Sequence, residues 1–168
     1  MTEQTAILLA LALPLFGAVG IALAGRVSAN LREAVTLTTA GGLAWVVWGL
    51  LPGVLDGDRP SVSVAEVLPG VSIAFQVEPL GMLFAALASG LWIVNSIYSI
   101  GYMRGNKEAN QTRFYAMFAI SLAATMGVAF AGNLFTLFLC YEVLTLSTYP
   151  LVAHKGDEKT VRSARVYL

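Results

Sequence analysis

The chain has 168 residues, of which 57% are hydrophobic and only 12% are charged. Soluble domains carry about 25% charged residues, so this composition excludes an ordinary soluble domain and indicates a membrane protein. The formal net charge is zero, and no basic excess points to nucleic acid as a partner. Cys140 is the single cysteine, which excludes an intrachain disulfide.

Five apolar runs predict five transmembrane helices, since a helix needs roughly 20 apolar residues to cross the hydrocarbon core. The first run has no basic residue before it and is long for a signal peptide, so we expect it to be retained. The predicted fold class is all-α integral membrane: about five spans in a single membrane domain over residues 1–168, with the start of a sixth span at the carboxy terminus. The runs cover residues 6–25, 34–51, 80–101, 114–131 and 134–153.

Lysine and arginine are distributed unevenly between the two predicted sides of the membrane. Only Arg59 lies on the side of the amino terminus. Because basic residues concentrate on the cytoplasmic side, we expect the amino terminus outside and the carboxy-terminal tail in the cytoplasm of a cell inner (plasma) membrane, crossed several times. The basic residues on the cytoplasmic side are Arg26, Arg32, Arg104, Lys107, Arg113, Lys155, Lys159, Arg162 and Arg165.

The external segment 54–78 departs from the helical pattern. Apolar residues alternate with small or polar ones in two stretches, and Pro69 and Gly70 supply turn residues between them. This pattern predicts a short β-hairpin over the outer helix ends; the alternative is an irregular loop. So short a hairpin needs support from the helices or from a partner subunit. The alternating apolar residues are Val62, Val64, Val71, Ile73, Phe75 and Val77.

Glu142 is the candidate proton-translocation residue. It lies near the middle of the fifth run, too deep to reach either surface, and no lysine or arginine occurs within the other four runs. An ionisable residue at such a depth is functional by default. Either Glu142 is protonated with a raised pKa, or it pairs with a cation outside this chain. The alternative is a tolerated carboxyl group that is hydrogen-bonded to a neighbouring helix.

Several polar residues are candidates to support proton movement. Thr145 and Tyr149 follow Glu142 on one helical stripe, and Ser121 and Thr125 lie one turn apart in the fourth run. Such groups hold water or relay protons, or they connect helices through hydrogen bonds. His154, at the cytoplasmic end of the fifth run, is either a proton-entry group or an ordinary interfacial histidine. A similar polar stripe in the third run comprises Asn95, Ser99 and Tyr102.

The sequence contains no phosphate loop, no metal-ligand spacing and no haem or iron–sulfur cysteine pattern. We therefore expect no cofactor, no metal site and no catalytic redox centre within this chain. The expected partners are the lipid bilayer, other membrane subunits and the transported protons, with Na⁺ as a further candidate ion.

Several motifs resemble those of proton-translocating antiporter-like membrane proteins. This superfamily comprises the large membrane-arm subunits of respiratory complex I, the A-type and D-type components of Mrp Na⁺/H⁺ antiporters, and membrane subunits of energy-converting hydrogenases. The resemblance extends over residues 75–168, and the local sequence around Glu142 is most similar to the D-type Mrp component. The motifs are Glu78-Pro79-Leu80-Gly81, Tyr98-Ser99-Ile100-Gly101-Tyr102-Met103, Gln111-Thr112-Arg113-Phe114-Tyr115, Asn133-Leu134-Phe135-Thr136-Leu137-Phe138, Tyr141-Glu142 and Leu144-Thr145-Leu146-Ser147-Thr148-Tyr149.

The resemblance implies that Glu142 matches the family's fifth-span glutamate, which modulates the protonation of a lysine in the seventh span. Family members have about fourteen spans and two inverted repeats with broken helices, so we expect this chain to be the amino-terminal fragment of a larger subunit. The implied function is proton or cation translocation, driven by redox chemistry in a complex I-like or hydrogenase-like pump, or by the proton gradient itself in an Mrp-type monovalent cation/H⁺ antiporter. The alternatives are a non-transporting scaffold or assembly subunit, an inactive fragment, and an independent small permease.

Overall fold

The computed structural model describes residues 2–154 and 158–167. Five long helices and one two-stranded sheet account for most of these residues, and a short sixth helix follows them. The elements in chain order are α1 (Glu3–Val27), α2 (Ala29–Leu55), β1 (Ser61–Leu68), β2 (Val71–Gln76), α3 (Pro79–Gly105), α4 (Gln111–Ala129), α5 (Leu134–Val152) and α6 (Glu158–Tyr167).

The five predicted transmembrane helices are confirmed. Each of α1 to α5 is long and apolar enough to cross a bilayer. Helices α1 to α4 extend beyond the apolar runs at one end or both, because helical hydrogen bonding continues into polar residues. For example, α2 starts at Ala29, before Arg32 and Glu33, and α3 continues through Arg104. The terminal turns of these helices therefore contain charged residues that lie outside the apolar runs.

Polar caps define where several helices begin. Ser28 separates α1 from α2, and its hydroxyl accepts a hydrogen bond from the Leu31 backbone N–H. Asn133 caps α5 by accepting from the Thr136 N–H at 2.8 Å. These side chains satisfy backbone donors that have no partner within the helix. The caps fix the two tightest connections in the bundle, α1 to α2 and α4 to α5.

Helix α4 is the centre of the packing. It contacts α1, α3 and α5, while α2 packs on α1 and α3. Two glycines allow close approach: a Cβ at Gly81 would overlap the Ala129 carbonyl oxygen, and a Cβ at Gly127 would lie 2.6 Å from the Cys140 sulfur. Membrane helix interfaces favour small residues for this reason. The contact between the start of α3 and the end of α4, and the contact between the end of α4 and α5, therefore each require a glycine without a side chain.

The predicted β-hairpin is confirmed, and it is anchored to the connection between α4 and α5. Strands β1 and β2 pair antiparallel, and Phe75 of β2 and the following Val77 are buried. The Gln76 N–H donates to the Phe130 carbonyl at 2.7 Å, and the Gly132 N–H donates to the Ala74 carbonyl at 2.9 Å. The bundle itself thus provides the support that an isolated hairpin lacks.

Side chains of the α5 cap complete this anchor. The amide of Asn133 donates to the Ser72 carbonyl at 2.8 Å. The fully buried Thr136 hydroxyl accepts from the Ala74 N–H at 3.0 Å. Asn133 therefore both caps α5 and holds β2, and Thr136 adds a second bond to β2, which fixes the start of α5 relative to the hairpin.

A charged cluster joins α2, α3 and α4 at the opposite end of the bundle. Glu33 accepts from Arg104 through both carboxylate oxygens, at 2.8 Å and 2.6 Å, and from the adjacent Arg32 at 3.2 Å. Arg32 also donates to Gln111 at 2.8 Å and lies over the Tyr115 ring. Arg32 and Glu33 are both only 6% exposed. Buried charges require such pairing, because a charge that loses its hydration without gaining a partner is strongly destabilising.

Replacing Glu33 with alanine should destabilise the bundle, because the buried Arg32 guanidinium loses its counterion. We expect a loss of about 3 kcal/mol in the free energy of unfolding, in the range for breaking a buried pair. Thermal unfolding of the detergent-solubilised protein measures it. The control is Arg59→Ala, which removes a partly exposed pair with Glu78 and should change stability by less than about 1 kcal/mol. Equal effects of the two variants would contradict this account.

Gly81→Ala should separate the start of α3 from the end of α4, because the new methyl group meets a rigid backbone carbonyl. We expect a loss of about 1–3 kcal/mol, the usual range for overpacking. Gly101→Ala is the matched control, since no atom lies within contact distance of a Cβ at that position. Unfolding curves for both variants test the prediction, and a Gly81→Ala variant as stable as Gly101→Ala would refute it.

Candidate functional site

Glu142 lies in the middle of α5, the helix least enclosed by the bundle. It is eight residues from Leu134 and ten from Val152, which places it about 12 Å and 15 Å from the two helix ends at 1.5 Å per residue. Its side chain is exposed on the surface of the bundle. Among the described residues it makes no hydrogen bond and no ion pair. The carboxyl group is therefore central in depth and without a partner in this part of the chain.

The face of α5 around Glu142 is large, apolar and uncovered. Only Thr136 and Ser147 of α5 are buried. A lone apolar face is compatible with lipid, but a carboxyl group in the middle of it is not, because hydrocarbon offers neither charge nor hydrogen bonds. The exposed large side chains of α5 are Leu134, Leu137, Phe138, Tyr141, Val143, Leu146 and Val152.

The two residues predicted to support Glu142 on its own helix lie beside it but do not contact it through hydrogen bonds. The Thr145 hydroxyl donates to the Tyr141 carbonyl at 3.0 Å, one turn back along α5. Tyr149 is half-buried two turns beyond Glu142. Both are close in helical position, and Thr145 retains oxygen lone pairs that can accept a hydrogen bond.

Of the pair predicted in the fourth span, Ser121 connects two helices. The hydroxyl groups of Ser121 and Ser147 lie 2.9 Å apart in the buried interface of α4 and α5. Thr125 donates to the Ser121 carbonyl at 2.8 Å along α4. The structure thus brings Ser121 to α5, and it leaves Thr125 on the side of α4 that faces α3, where it lines a recess with Asn95.

His154 follows α5 and packs against the start of α4. Its ring lies edge-on to Phe114, with 5.5 Å between the ring centroids, and its backbone carbonyl accepts from Arg113. Both ring nitrogens are buried and have no hydrogen-bond partner. Burial lowers the pKa of this imidazole below its usual 6.5, the nearby Arg113 charge lowers it further, and Glu108 opposes the shift. The structure separates His154 from Glu142 by about three turns of α5.

An apolar groove of about 270 Å³ runs beside Glu142 without including it. Helices α1, α4 and α5 form its walls, and Ile73 and Phe75 of β2 close one end. Cys140 and Thr136 are its most polar lining residues. Because the groove offers almost no hydrogen-bonding groups, it provides no path for protons to the carboxyl group.

The charged cluster of Arg32, Glu33 and Arg104 is the feature that sequence reasoning missed. The adjacent Arg-Glu pair at the start of the second run was a usable signal, because a carboxylate beside an arginine at a membrane helix end suggests a paired site. No grouping of histidine, cysteine, aspartate and glutamate that could bind a metal occurs within residues 2–154 and 158–167.

Comparison with known protein families matches part of the chain. Residues 69–115 fit the family model described as NADH-Ubiquinone oxidoreductase (complex I), chain 5 N-terminus. This segment contains β2 and α3, and it ends at the start of α4.

Two curated proteins show where the similarity extends. NADH-quinone oxidoreductase subunit N of Desulforudis audaxviator is 27% identical over 168 residues, covering 98% of this chain and 33% of that protein. Na⁺/H⁺ antiporter subunit A1 of Staphylococcus aureus is 31% identical over 98 residues, covering 58% of this chain and 12% of that protein. The chain therefore spans about a third of the length of the first relative and much less of the second.

Two solved structures share the fold. A chain of the Mrp complex from Dietzia sp. DQ12-45-1b superposes with a TM-score of 0.81 at 26% identity, covering 99% of this chain and 31% of that one. A chain of the archaeal membrane-bound sulfane sulfur reductase gives a TM-score of 0.82 at 17% identity, covering 98% and 33%. Together these matches show a multi-pass membrane fold that is similar to NADH-quinone oxidoreductase subunit N, to Na⁺/H⁺ antiporter subunit A1 and to a chain of the Mrp complex.

Proposed function

We propose that the chain is the amino-terminal part of a proton- or cation-translocating antiporter-like subunit within a multisubunit membrane complex. Glu142 is the group that exchanges a proton or pairs with a cation. Translocation is driven by redox chemistry in neighbouring subunits or by exchange for another cation such as Na⁺. The single observation that carries this proposal is the position of Glu142: mid-membrane, exposed on α5, and without a partner in the described chain.

The geometry favours a second helix against this face of α5. A carboxylate facing lipid at this depth is destabilising by a few kcal/mol on insertion scales, and a cation within about 4–6 Å favours the ionised form and offsets part of that cost. A lysine or arginine on an adjoining helix then makes the protonation of Glu142 depend on the charge of its partner. Such coupling is what transport requires, because the site must change its proton affinity during the cycle.

The supporting residues take different roles in this proposal. Thr145 and Tyr149 are placed to contact water or a partner group beside Glu142, on the same helix. The Ser121–Ser147 hydrogen bond holds α5 against α4, so Ser121 positions the helix that carries the carboxyl group. Thr125 lines the recess between α3 and α4, and its hydroxyl donates within α4 to the Ser121 carbonyl.

The comparisons support the proposal that this chain acts within a membrane complex. One relative is named as a subunit of NADH-quinone oxidoreductase, another as a subunit of an Na⁺/H⁺ antiporter, and both structural neighbours belong to membrane complexes. By this likeness, other membrane subunits are the partners of the chain. We further propose an inner (plasma) membrane location with the hairpin and amino terminus outside, because Arg26, Arg32 and Arg104 share the opposite end of the bundle.

Glu142→Gln in the complete complex should reduce coupled transport by at least tenfold while leaving assembly intact. Glutamine has nearly the same shape as glutamate but neither ionises nor exchanges a proton. Proton movement into inverted membrane vesicles, followed with a pH-sensitive dye, measures the rate. Glu142→Asp, which keeps the carboxyl group, should retain part of the activity.

Glu66→Gln is the matched control, because it makes the same chemical change on the exposed hairpin, where Glu66 accepts only from the Gly70 N–H. Its transport should stay within twofold of the unaltered complex. Wild-type transport by an assembled Glu142→Gln complex would reject the translocation proposal and favour a scaffold subunit.

His154 should be neutral at pH 7 and should make the folded state sensitive to acid. Its pKa is lowered in the fold, so the unfolded chain binds more protons as the pH falls through about 6.5. Stability should therefore decrease from pH 7.5 to pH 5.5. Thermal unfolding of the unaltered protein and of His154→Phe across this range measures the effect. A pH dependence that is unchanged in His154→Phe would show that the imidazole is not buried in its neutral form.

A further inference from the structure

Helix α5 is attached to the rest of the bundle along one narrow stripe. Thr136 and Ser147 are the only buried residues of this fully described helix. They lie eleven residues apart, or about three turns, so both side chains project from the same side of α5. Cys140 lies between them on that side, and a Cβ on Gly127 of α4 would lie 2.6 Å from its sulfur. The stripe therefore contacts its neighbours at its start, middle and end.

The two ends of this stripe form hydrogen bonds with two different elements. The Thr136 hydroxyl accepts from the Ala74 N–H of β2 at 3.0 Å. The Ser147 hydroxyl lies 2.9 Å from the Ser121 hydroxyl of α4. Thr136 and Ser147 are 0% and 6% exposed, so water does not compete for these bonds. Because hydrogen bonds are directional, two of them about 16 Å apart along one side of a helix restrain its rotation about its own axis.

Thr136 differs in this respect from two other threonines of α5. A threonine hydroxyl within a helix commonly donates to a carbonyl of the preceding turn. Thr145 and Thr148 do so, since they donate to the carbonyls of Tyr141 and Thr145. The Thr136 hydroxyl accepts from a strand instead. Removing it changes the contact between α5 and the hairpin, whereas removing the Thr148 hydroxyl changes a bond within α5 alone.

Glu142 lies between the two hydrogen bonds of the stripe, six residues after Thr136 and five before Ser147. At about 100° per residue, its side chain projects about a third of a turn away from the stripe. The end of a helical side chain lies about 5–6 Å from the helix axis, so a rotation of roughly 20° moves the carboxyl group by about 2 Å. Functional groups must be held to within about 0.5 Å of their working position. A small rotation of α5 would therefore misplace Glu142.

We propose that Thr136 and Ser147 are positioning residues, whose hydrogen bonds to β2 and α4 set the rotation of α5 and thereby orient the Glu142 carboxyl group. The inference rests on the proposed function for the role of Glu142 and adds the residues that direct it. Both bonds lie within the described chain, so they fix α5 relative to α4 and the hairpin whatever covers its exposed side. The apolar groove along the flank of the stripe provides no close packing that would hold the same rotation.

Thr136→Val in the complete complex removes the hydroxyl group with little change in shape. We expect transport by the assembled complex to fall by about fivefold or more, and the pH of half-maximal transport to shift by at least about half a unit. A loss of stability alone lowers the rate by the same factor at every pH and leaves this midpoint in place. Thr136→Ser, which keeps the hydroxyl group, should retain most of the activity. Thr148→Val, the matched control, should stay within twofold of the unaltered complex.

Labelling of Glu142 by a hydrophobic carbodiimide, quantified by mass spectrometry, reports the position of the carboxyl group without relying on transport. The labelling rate should change by about threefold or more in Thr136→Val, and it should be unchanged in Thr148→Val. Ser147→Ala, a smaller substitution at the other end of the stripe, should change the rate in the same way and decides the test if Thr136→Val does not assemble.

An unchanged labelling rate in an assembled Thr136→Val or Ser147→Ala complex would overturn the positioning role. Normal transport by Glu142→Gln, together with labelling that still responds to Thr136→Val, would support the positioning of the carboxyl group and overturn the proposed function alone. The two proposals can therefore fail separately.

Discussion

Hydrocarbon neither solvates charge nor donates hydrogen bonds, and the whole arrangement of this chain follows from that constraint. The backbone satisfies it with five long helices, and the two-stranded sheet is confined to one end of the bundle. Charged side chains satisfy it by pairing at the other end, where Glu33 joins Arg32 and Arg104. Against this background an unpaired carboxyl group at mid-membrane depth is informative, because the buried carboxylate of Glu33 is paired with two arginines.

The two ends of the bundle hold the helices in fixed relative positions. At one end, Asn133 and Thr136 join the hairpin to the start of α5. At the other, Glu33 joins α2 to α3, and Gln111 continues the link to α4. Helix α4 lies between these anchors and supports α5 along its length. The carboxyl group of Glu142 is thus carried on a helix whose position is set at its start and along one side, while its other side stays uncovered.

Most of the fold could be predicted from the sequence. The apolar runs identify five spans because length and hydrophobicity dominate membrane insertion, and period-two alternation identifies the hairpin. Helix ends could not be predicted in the same way. Arg32 and Arg104 are charged and so fall outside the apolar runs, yet both belong to the helices. The anchor at Asn133 was also invisible, since a capping residue does not reveal which strand it will also bind.

The candidate site was only half accessible to sequence reasoning. The depth of Glu142 follows from its place in an apolar run, but its exposure depends on which side of α5 meets α4. That choice is made by Ser147 and by the space above Gly127, which are features of packing and not of composition. The same reasoning applies to Thr136, whose hydrogen bond to β2 emerges only when the hairpin is placed against α5.

A cryo-electron microscopy structure of the intact complex tests the central claim most directly, through the distance from the Glu142 carboxylate to the nearest cationic side chain. The account predicts a lysine or arginine of an adjoining helix within about 6 Å, at mid-membrane depth, against the exposed face of α5. A Glu142 side chain that faces only lipid, or that is enclosed by apolar residues with no polar partner, would contradict it.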